Sequence, residues 1–235
     1  RTSNPNLNFR IFSNLKHPTE AFAKKVDRLR KLLSDGKLQA VEIICSIDAW
    51  GPEIEYARYG LKMDHWNPNF EYLVNSPELL VSVHMTLSPV TISSAHVLVD
   101  KVKEASNRRK ALYRGASTIQ ISYNSIANPP FMDPSIFGNS LRPYLARFVE
   151  SCNSLNDGGI AAGYMTQICK SEIKPQLVAE FRDYLTELDR RRGTSWRSVY
   201  PWLSGIVDEI VGDSPPESFA QFENTWTNLD KKDNL

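Results

Sequence analysis

Four apolar runs, near residues 7–14, 40–48, 79–87 and 118–124, start about 33, 39 and 39 residues apart. That spacing is too long for hairpins and suits strands joined by crossover helices. The intervening segments carry the helical period. After the first run, Pro18 can open a helix whose stripe is Phe22, Val26, Leu29 and Leu33, with Gly36 at its end. After the third run, Ala95, Leu98, Val102 and Ala105 repeat the pattern. Alternating strands and helices imply an α/β fold with a parallel sheet and right-handed crossovers.

Parity within the strands narrows the architecture. In the third run Leu79, Val81, Val83, Met85 and Leu87 share one face, while Ser82, His84 and Thr86 share the other. In the fourth, Ile119, Ile121 and Tyr123 oppose Thr118, Gln120, Ser122 and Asn124. A sheet covered by helices on both sides needs two apolar faces. One apolar and one polar face fits a curved sheet or open barrel, with helices outside and a wet lumen within. A flat sheet with one solvated face has the same alternation. The lumen candidates are Ser82, His84, Thr86, Gln120, Ser122 and Asn124. Among the four histidines only His84 falls on this face, either as a hydrogen-bonded core residue or as a general acid or base.

Polar residues gather where the strands end: Ser13 and Asn14, Ser46 and Asp48, Thr86 and Ser88, Ser122 and Asn124. Carboxyl ends of parallel strands form the binding face of α/β folds, although loops are polar for other reasons as well. The second strand exit carries the most. Cys45-Ser46-Ile47-Asp48-Ala49-Trp50-Gly51-Pro52-Glu53 leads directly to Tyr56-Ala57-Arg58-Tyr59-Gly60. Asp48 can accept hydroxyl hydrogen bonds from a ribose, Ser46 shares its parity, and Arg58 can pair bidentately with a carboxylate. Against this, Asp, Gly and Pro also serve ordinary turns, and Glu53, Glu55 and Arg58 can form an ion-pair set on a solvated helix.

Composition excludes several partners. The 28 basic and 27 acidic residues nearly cancel, which indicates no nucleic-acid or anionic-membrane partner. No apolar stretch approaches a membrane span of ~20 residues. Three separated cysteines, Cys45, Cys152 and Cys169, form no CxxC pair and no metal set. A sparse, odd count suits a reducing cytoplasm. No phosphate loop, HExxH or GxSxG motif occurs.

Beyond residue 125 the period changes. Asn128-Pro129-Pro130 and Asp133-Pro134 make an irregular connection, and a helix follows with Leu141, Leu145, Phe148 and Cys152 on one side. Asn156-Asp157-Gly158-Gly159 reads as a loop, and Cys169 falls in or near one. A further helix spans about 172–190, with Leu177, Phe181, Leu185 and Leu188 inward, and another starts near Trp196. Residues 213–235 read as a flexible tail. Three regions result: 1–125, 126–212 and 213–235.

Taken together, Phe12-Ser13-Asn14-Leu15, the segment from Cys45 to Gly60, and the downstream Asp189-Arg190-Arg191-Arg192-Gly193-Thr194-Ser195-Trp196-Arg197 with Tyr200-Pro201-Trp202-Leu203 resemble radical S-adenosylmethionine enzymes of the twitch domain-containing type. The resemblance runs over most of residues 5–205. It implies a partial (β/α)6 barrel, of which these would be strands three to six, followed by a helical C-terminal region. It further implies that S-adenosylmethionine lies across the strand ends beside Ser46, Asp48, Arg58, Ser13 and Asn14. A [4Fe-4S] cluster, fed by an external electron donor, would cleave it reductively to a 5′-deoxyadenosyl radical that abstracts hydrogen from a substrate in the lumen. The family's Cys-x3-Cys-x2-Cys and Gly-Gly-Glu-Pro motifs are not in this sequence. Expected, then, is the C-terminal part of such an enzyme, inactive by itself, with no metal ligands and no auxiliary cluster in this region. Two rival readings stand beside it. One is a non-catalytic half-barrel module that binds a nucleoside or S-adenosylmethionine. The other is a non-redox barrel enzyme with His84 as base.

Overall fold

The computed structural model describes residues 7–153 and 158–212. Strands β1 (Asn8–Ser13), β2 (Ala40–Ser46), β3 (Leu80–Leu87) and β4 (Gln120–Ser125) form one parallel sheet in the order β1-β2-β3-β4. Helices α1 (Thr19–Ser34), α2 (Pro52–Ala57), α3 (Met63–Val74) and α4 (Ile92–Leu112) fill the crossovers. The expected alternation is therefore present at nearly the expected boundaries. Pro18 sits one place earlier than a first helical residue, as the extended N-cap of α1.

The strand period explains which face is covered. Val41, Ile43 and Cys45 of β2 and Val81, Val83 and Met85 of β3 are buried in one apolar cluster. The cluster also takes Phe22 and Val26 of α1, Trp66, Phe70 and Leu73 of α3, and Leu98 and Val102 of α4. Side chains of a strand alternate between faces, so Arg10, Glu42, Ser82, His84, Thr86, Gln120, Ser122 and Asn124 fall on the face away from this layer. That face is not uniformly wet, since Ile44 and Ser82 are buried on it.

The chain after β4 packs as helices against this layer. Two 3-10 segments, Pro130–Met132 and Pro134–Leu141, precede α5 (Arg142–Asn153), α6 (Gly158–Lys170), α7 (Pro175–Arg192), α8 (Trp196–Val199) and α9 (Pro201–Val211). Phe148 and Cys152 of α5 and Ala161 of α6 join the sheet's own core, and Tyr123 of β4 meets Phe148 edge-on at 5.1 Å. A second core gathers Ile136, Phe137, Leu145, Phe181, Leu185, Trp196, Tyr200 and Leu203, and it recruits Tyr56, Val90 and Ile92 from before residue 125. Gly138 kinks the second 3-10 segment at φ +51°, and a Cβ there would come within 2.6 Å of the Ser171 carbonyl oxygen. Only glycine meets both demands.

Three expectations need correction. Gly158 and Gly159 are not loop but the first residues of α6, and Cys169 lies within that helix rather than in a loop. Leu141 belongs to the 3-10 segment before α5. The tail at 213–235 lies outside the described residues. No helix among the described residues is long and apolar enough to cross a membrane.

Two buried charges fasten this architecture. Arg109, fully buried on α4, donates to the carbonyl oxygens of Leu73 (2.9 Å), Ser76 (3.2 Å), Pro77 (3.2 Å) and Leu79 (2.6 Å). One guanidinium thus satisfies the carbonyls at the end of α3 and the entrance to β3, groups that would be costly to leave unpaired. Glu187 of α7 is likewise buried, and its carboxylate accepts from Arg190 Nε (2.7 Å) and Nη2 (2.8 Å) and from Arg191 Nε (2.6 Å).

Arg109→Leu should lower unfolding stability by about 3 kcal/mol or more, the scale for orphaning several buried acceptors of a charged donor. A urea midpoint equal to the wild type would contradict this account. Hydrogen bonds from Arg190, with a smaller contribution from Arg191, outweigh burial and hold the Glu187 carboxyl at a pKa of about 2. A carboxyl depressed in the folded state contributes its stability in full above the unfolded value of about 4.3 and loses it as pH falls towards the folded one. The wild type should therefore lose stability between pH 4.3 and 2 more steeply than Glu187→Gln, as measured by urea titrations across that window. Parallel curves for the two proteins would rule out Glu187 as the source.

Candidate functional site

The paired strands β2 and β3 end with Ser46 opposite His84, and Ile47 N–H donates to the His84 carbonyl at 3.1 Å. Beyond that rung the Asp48 side chain takes over. Its Oδ1 accepts the Thr86 backbone N–H at 2.9 Å. The chain then turns at Gly51, which adopts φ +82°, and Pro52 opens α2. Trp50 fixes this exit by meeting Trp66 of α3 edge-on at 5.7 Å. Helix α2 ends at Arg58, whose N–H donates to the Ile54 carbonyl at 2.9 Å. From there the Arg58 guanidinium reaches back to the sheet. Its Nε donates to Asp48 Oδ2 at 2.6 Å and its Nη2 to Asp48 Oδ1 at 2.9 Å.

This fork is the bidentate geometry that makes an arginine–carboxylate pair both strong and directional. The two residues singled out at the second strand exit are therefore partners of one another. Asp48 is buried, while the Arg58 side chain keeps 33% of its surface. Arg58 Nη1 makes no hydrogen bond among the described residues, and Asp48 Oδ2 accepts only one. The pair can thus offer a donor edge to a carboxylate and an acceptor position to a hydroxyl or cationic group. Glu55, the other candidate partner of Arg58, instead accepts from Met63 N–H at 2.9 Å and Lys62 Nζ at 3.0 Å. Those bonds, the backbone one foremost, lower the pKa of its carboxyl.

The remaining candidates are only partly brought together. Ser46, His84 and Ser122 form one row across β2, β3 and β4, with His84 Nδ1 and Ser122 Oγ 2.9 Å apart. Thr86 and Asn124 form the next row, towards Asp48. Ser82 donates to Glu42 Oε1 at 2.9 Å, and Glu42 in turn pairs with Arg10 at 2.7 Å. Ser82 and Gln120 therefore stand on a row further from the strand exits. Ser13 and Asn14 act within their own turn, where Ser13 Oγ accepts Leu15 N–H at 3.2 Å and Asn14 Oδ1 accepts Lys16 N–H at 3.3 Å. That turn carries Leu15 at φ +51°, and Asn69 holds it by donating to the Leu15 and His17 carbonyls.

The downstream motif proves to touch α2. Tyr56 donates its hydroxyl to Asp189 Oδ1 at 2.9 Å, and Asp189 also accepts from Thr194 Oγ1 at 2.7 Å and Trp196 N–H at 2.7 Å. Arg192 Nη1 donates to the Tyr56 carbonyl at 3.2 Å, and the Tyr200 hydroxyl donates to the Glu53 carbonyl at 2.6 Å. Burial pushes both phenols upward in pKa, and the Asp189 carboxylate adds to the shift at Tyr56, so both remain hydrogen-bond donors at neutral pH. Nothing in the sequence of this motif signals its link to the second strand exit. A cavity of about 620 Å³ near this junction is lined by Glu55, Tyr59, Lys62, Arg192 and Ser198 among others, not by Asp48.

The cysteines do not converge. Cys45 is fully buried in β2 with its thiol pushed up by burial, Cys152 is fully buried on α5, and Cys169 is half-buried on α6. Among the described residues no group of three His, Cys, Asp or Glu side chains could hold a metal ion. These residues do not fit an iron–sulfur cluster. The residues at the strand exits, with Arg58 Nη1 unbonded among the described residues and Asp48 Oδ2 accepting one bond, suit a ligand that carries both a carboxylate and hydroxyl groups. No protein-family model matches this chain, and no curated protein matches it.

Proposed function

We propose that this chain is the C-terminal part of a radical S-adenosylmethionine enzyme, whose four-stranded sheet forms strands three to six of a partial (β/α)6 barrel. The observation that carries the reading is the Asp48–Arg58 fork at the carboxyl end of β2, tied to β3 through Thr86 N–H. Arg58 would present its open Nη1 edge to the methionyl carboxylate, and Asp48 and Ser46 would stand beside the ribose. Ser13 and Asn14, already bonded within their turn, would shape the wall at the end of β1. S-adenosylmethionine supplies a hydrogen-abstracting radical when it is cleaved reductively. This chain's own part is to orient the cofactor and to line the substrate space with His84, Ser122, Thr86 and Asn124.

One observation favours a second reading. Asp48 and Arg58 already satisfy much of each other's hydrogen-bonding capacity, as a half-barrel that binds a nucleoside without chemistry would tolerate. Both readings place a nucleoside-bearing ligand at the same strand exits.

Titration of S-adenosylmethionine into the 15N-labelled chain should shift the resonances of Ser46, Asp48, Thr86 and the Arg58 side chain. Asp48→Ala should weaken the affinity by about tenfold or more, the scale for loss of a charge-assisted hydrogen-bond partner. Undisturbed resonances at millimolar ligand would overturn the site assignment, and equal affinity in the variant would remove Asp48 from it.

A further inference from the structure

Helix α2 has six residues and no side-chain N-cap. A helix of that length has no stability of its own in water. Its position is nevertheless decisive, because its last turn delivers Arg58 to Asp48. Besides the bonds of Glu55 to Lys62 and Met63 and a long contact of the Tyr56 hydroxyl with the Leu185 carbonyl (3.5 Å), three polar contacts from the segment 189–200 grip α2. The Glu53 carbonyl accepts from the Tyr200 hydroxyl (2.6 Å), the Tyr56 carbonyl accepts from Arg192 Nη1 (3.2 Å), and the Tyr56 hydroxyl donates to Asp189 (2.9 Å). The rings of Tyr56 and Tyr200 meet edge-on at 5.4 Å, and both residues are buried. Asp189 simultaneously holds its own turn through Thr194 and the Trp196 N–H. Its carboxylate is therefore the common point of the α7–α8 turn and of α2.

We propose that Asp189, Tyr56 and Tyr200 are positioning residues for Arg58, a clasp by which the C-terminal helices set the geometry of the Asp48–Arg58 fork. They act through α2 and do not touch the ligand. A side chain that must meet its partner within a few tenths of an ångström needs a support whose own contacts are fixed, and here that support lies some 130 residues downstream in the chain. The clasp makes ligand affinity at the strand exits depend on the α7–α8 turn. That last consequence rests on the function proposed above, whereas the hold on Arg58 does not.

The test compares Tyr56→Phe and Tyr200→Phe with Ser106→Ala. The first two remove one hydroxyl each and keep the packed rings. The third removes the acceptor of Ile119 N–H at 3.0 Å and serves as a control far from α2. Solvent exchange of the Arg58 Nε–H, which Asp48 protects, is read by NMR on the chain alone, alongside thermal melts. Tyr56→Phe and Tyr200→Phe should each accelerate exchange by about fivefold, the equivalent of one neutral hydrogen bond. Ser106→Ala should leave exchange unchanged even where its melt falls as far. Exchange within twofold of wild type in both tyrosine variants, or equal acceleration in the control, overturns the clasp. S-adenosylmethionine affinity is measured on the same proteins. If the wild type binds and the tyrosine variants bind equally well, the role in affinity is wrong. If the wild type does not bind, the proposed function fails while the exchange rates still decide the clasp.

Discussion

One carboxylate, that of Asp48, ties three elements together at the exit of the sheet: β2, β3 and α2. It ends β2, replaces the next backbone acceptor for β3 through Thr86 N–H, and receives the guanidinium that terminates α2. A parallel sheet must end somewhere, and its last donors need partners. Supplying one from a side chain lets the backbone of β2 leave early, through Trp50 and Gly51, without orphaning the neighbouring strand. The same substitution places a charged pair at the mouth of the sheet's uncovered face. Structure and candidate chemistry therefore use the same atoms.

The helices after β4 are not an appendage to this sheet. Phe148, Cys152 and Ala161 complete the core beneath β4, while Tyr56, Val90 and Ile92 reach the other way into the second core. Each core is built from both sides of residue 125, so a boundary drawn from the change in sequence period marks a change of architecture without a break in packing. The Tyr56 hydroxyl sits at that seam, where an apolar ring and a polar tip suit a residue with one end in each environment.

Much of the fold was legible because a strand with one covered face must alternate. Val81, Val83 and Met85 against Ser82, His84 and Thr86 announce both the strand and its two faces, and the structure keeps that division, although Ser82 is buried rather than wet. Helix α6 was hidden for a converse reason. Its apolar residues are divided between the two cores, with Ala161 in one and Met165 and Ile168 in the other, so no single stripe stands out. Gly158 and Gly159 then suggested a loop. In the candidate site, Asp48 and Arg58 could be named from their spacing, but not that they would bond to each other. Glu53 and Glu55 were nearer partners in sequence, and only the turn at Gly51 decides between them. The hold on α2 by Asp189 and Tyr200 was beyond reach, since single hydroxyl contacts to a carboxylate and a carbonyl across more than 130 residues leave no periodic trace.

Arg109 carries a consequence for the order in which the sheet can be finished. The carbonyls of Leu73, Ser76, Pro77 and Leu79 lie at the threshold of β3, yet their donor arrives some thirty residues later, near the end of the following helix. A nascent chain that has emerged through residue 87 contains every residue of the third strand and none of the guanidinium that completes its entrance. The strand exists in sequence before it is closed in bonding, and α4 is the element that closes it.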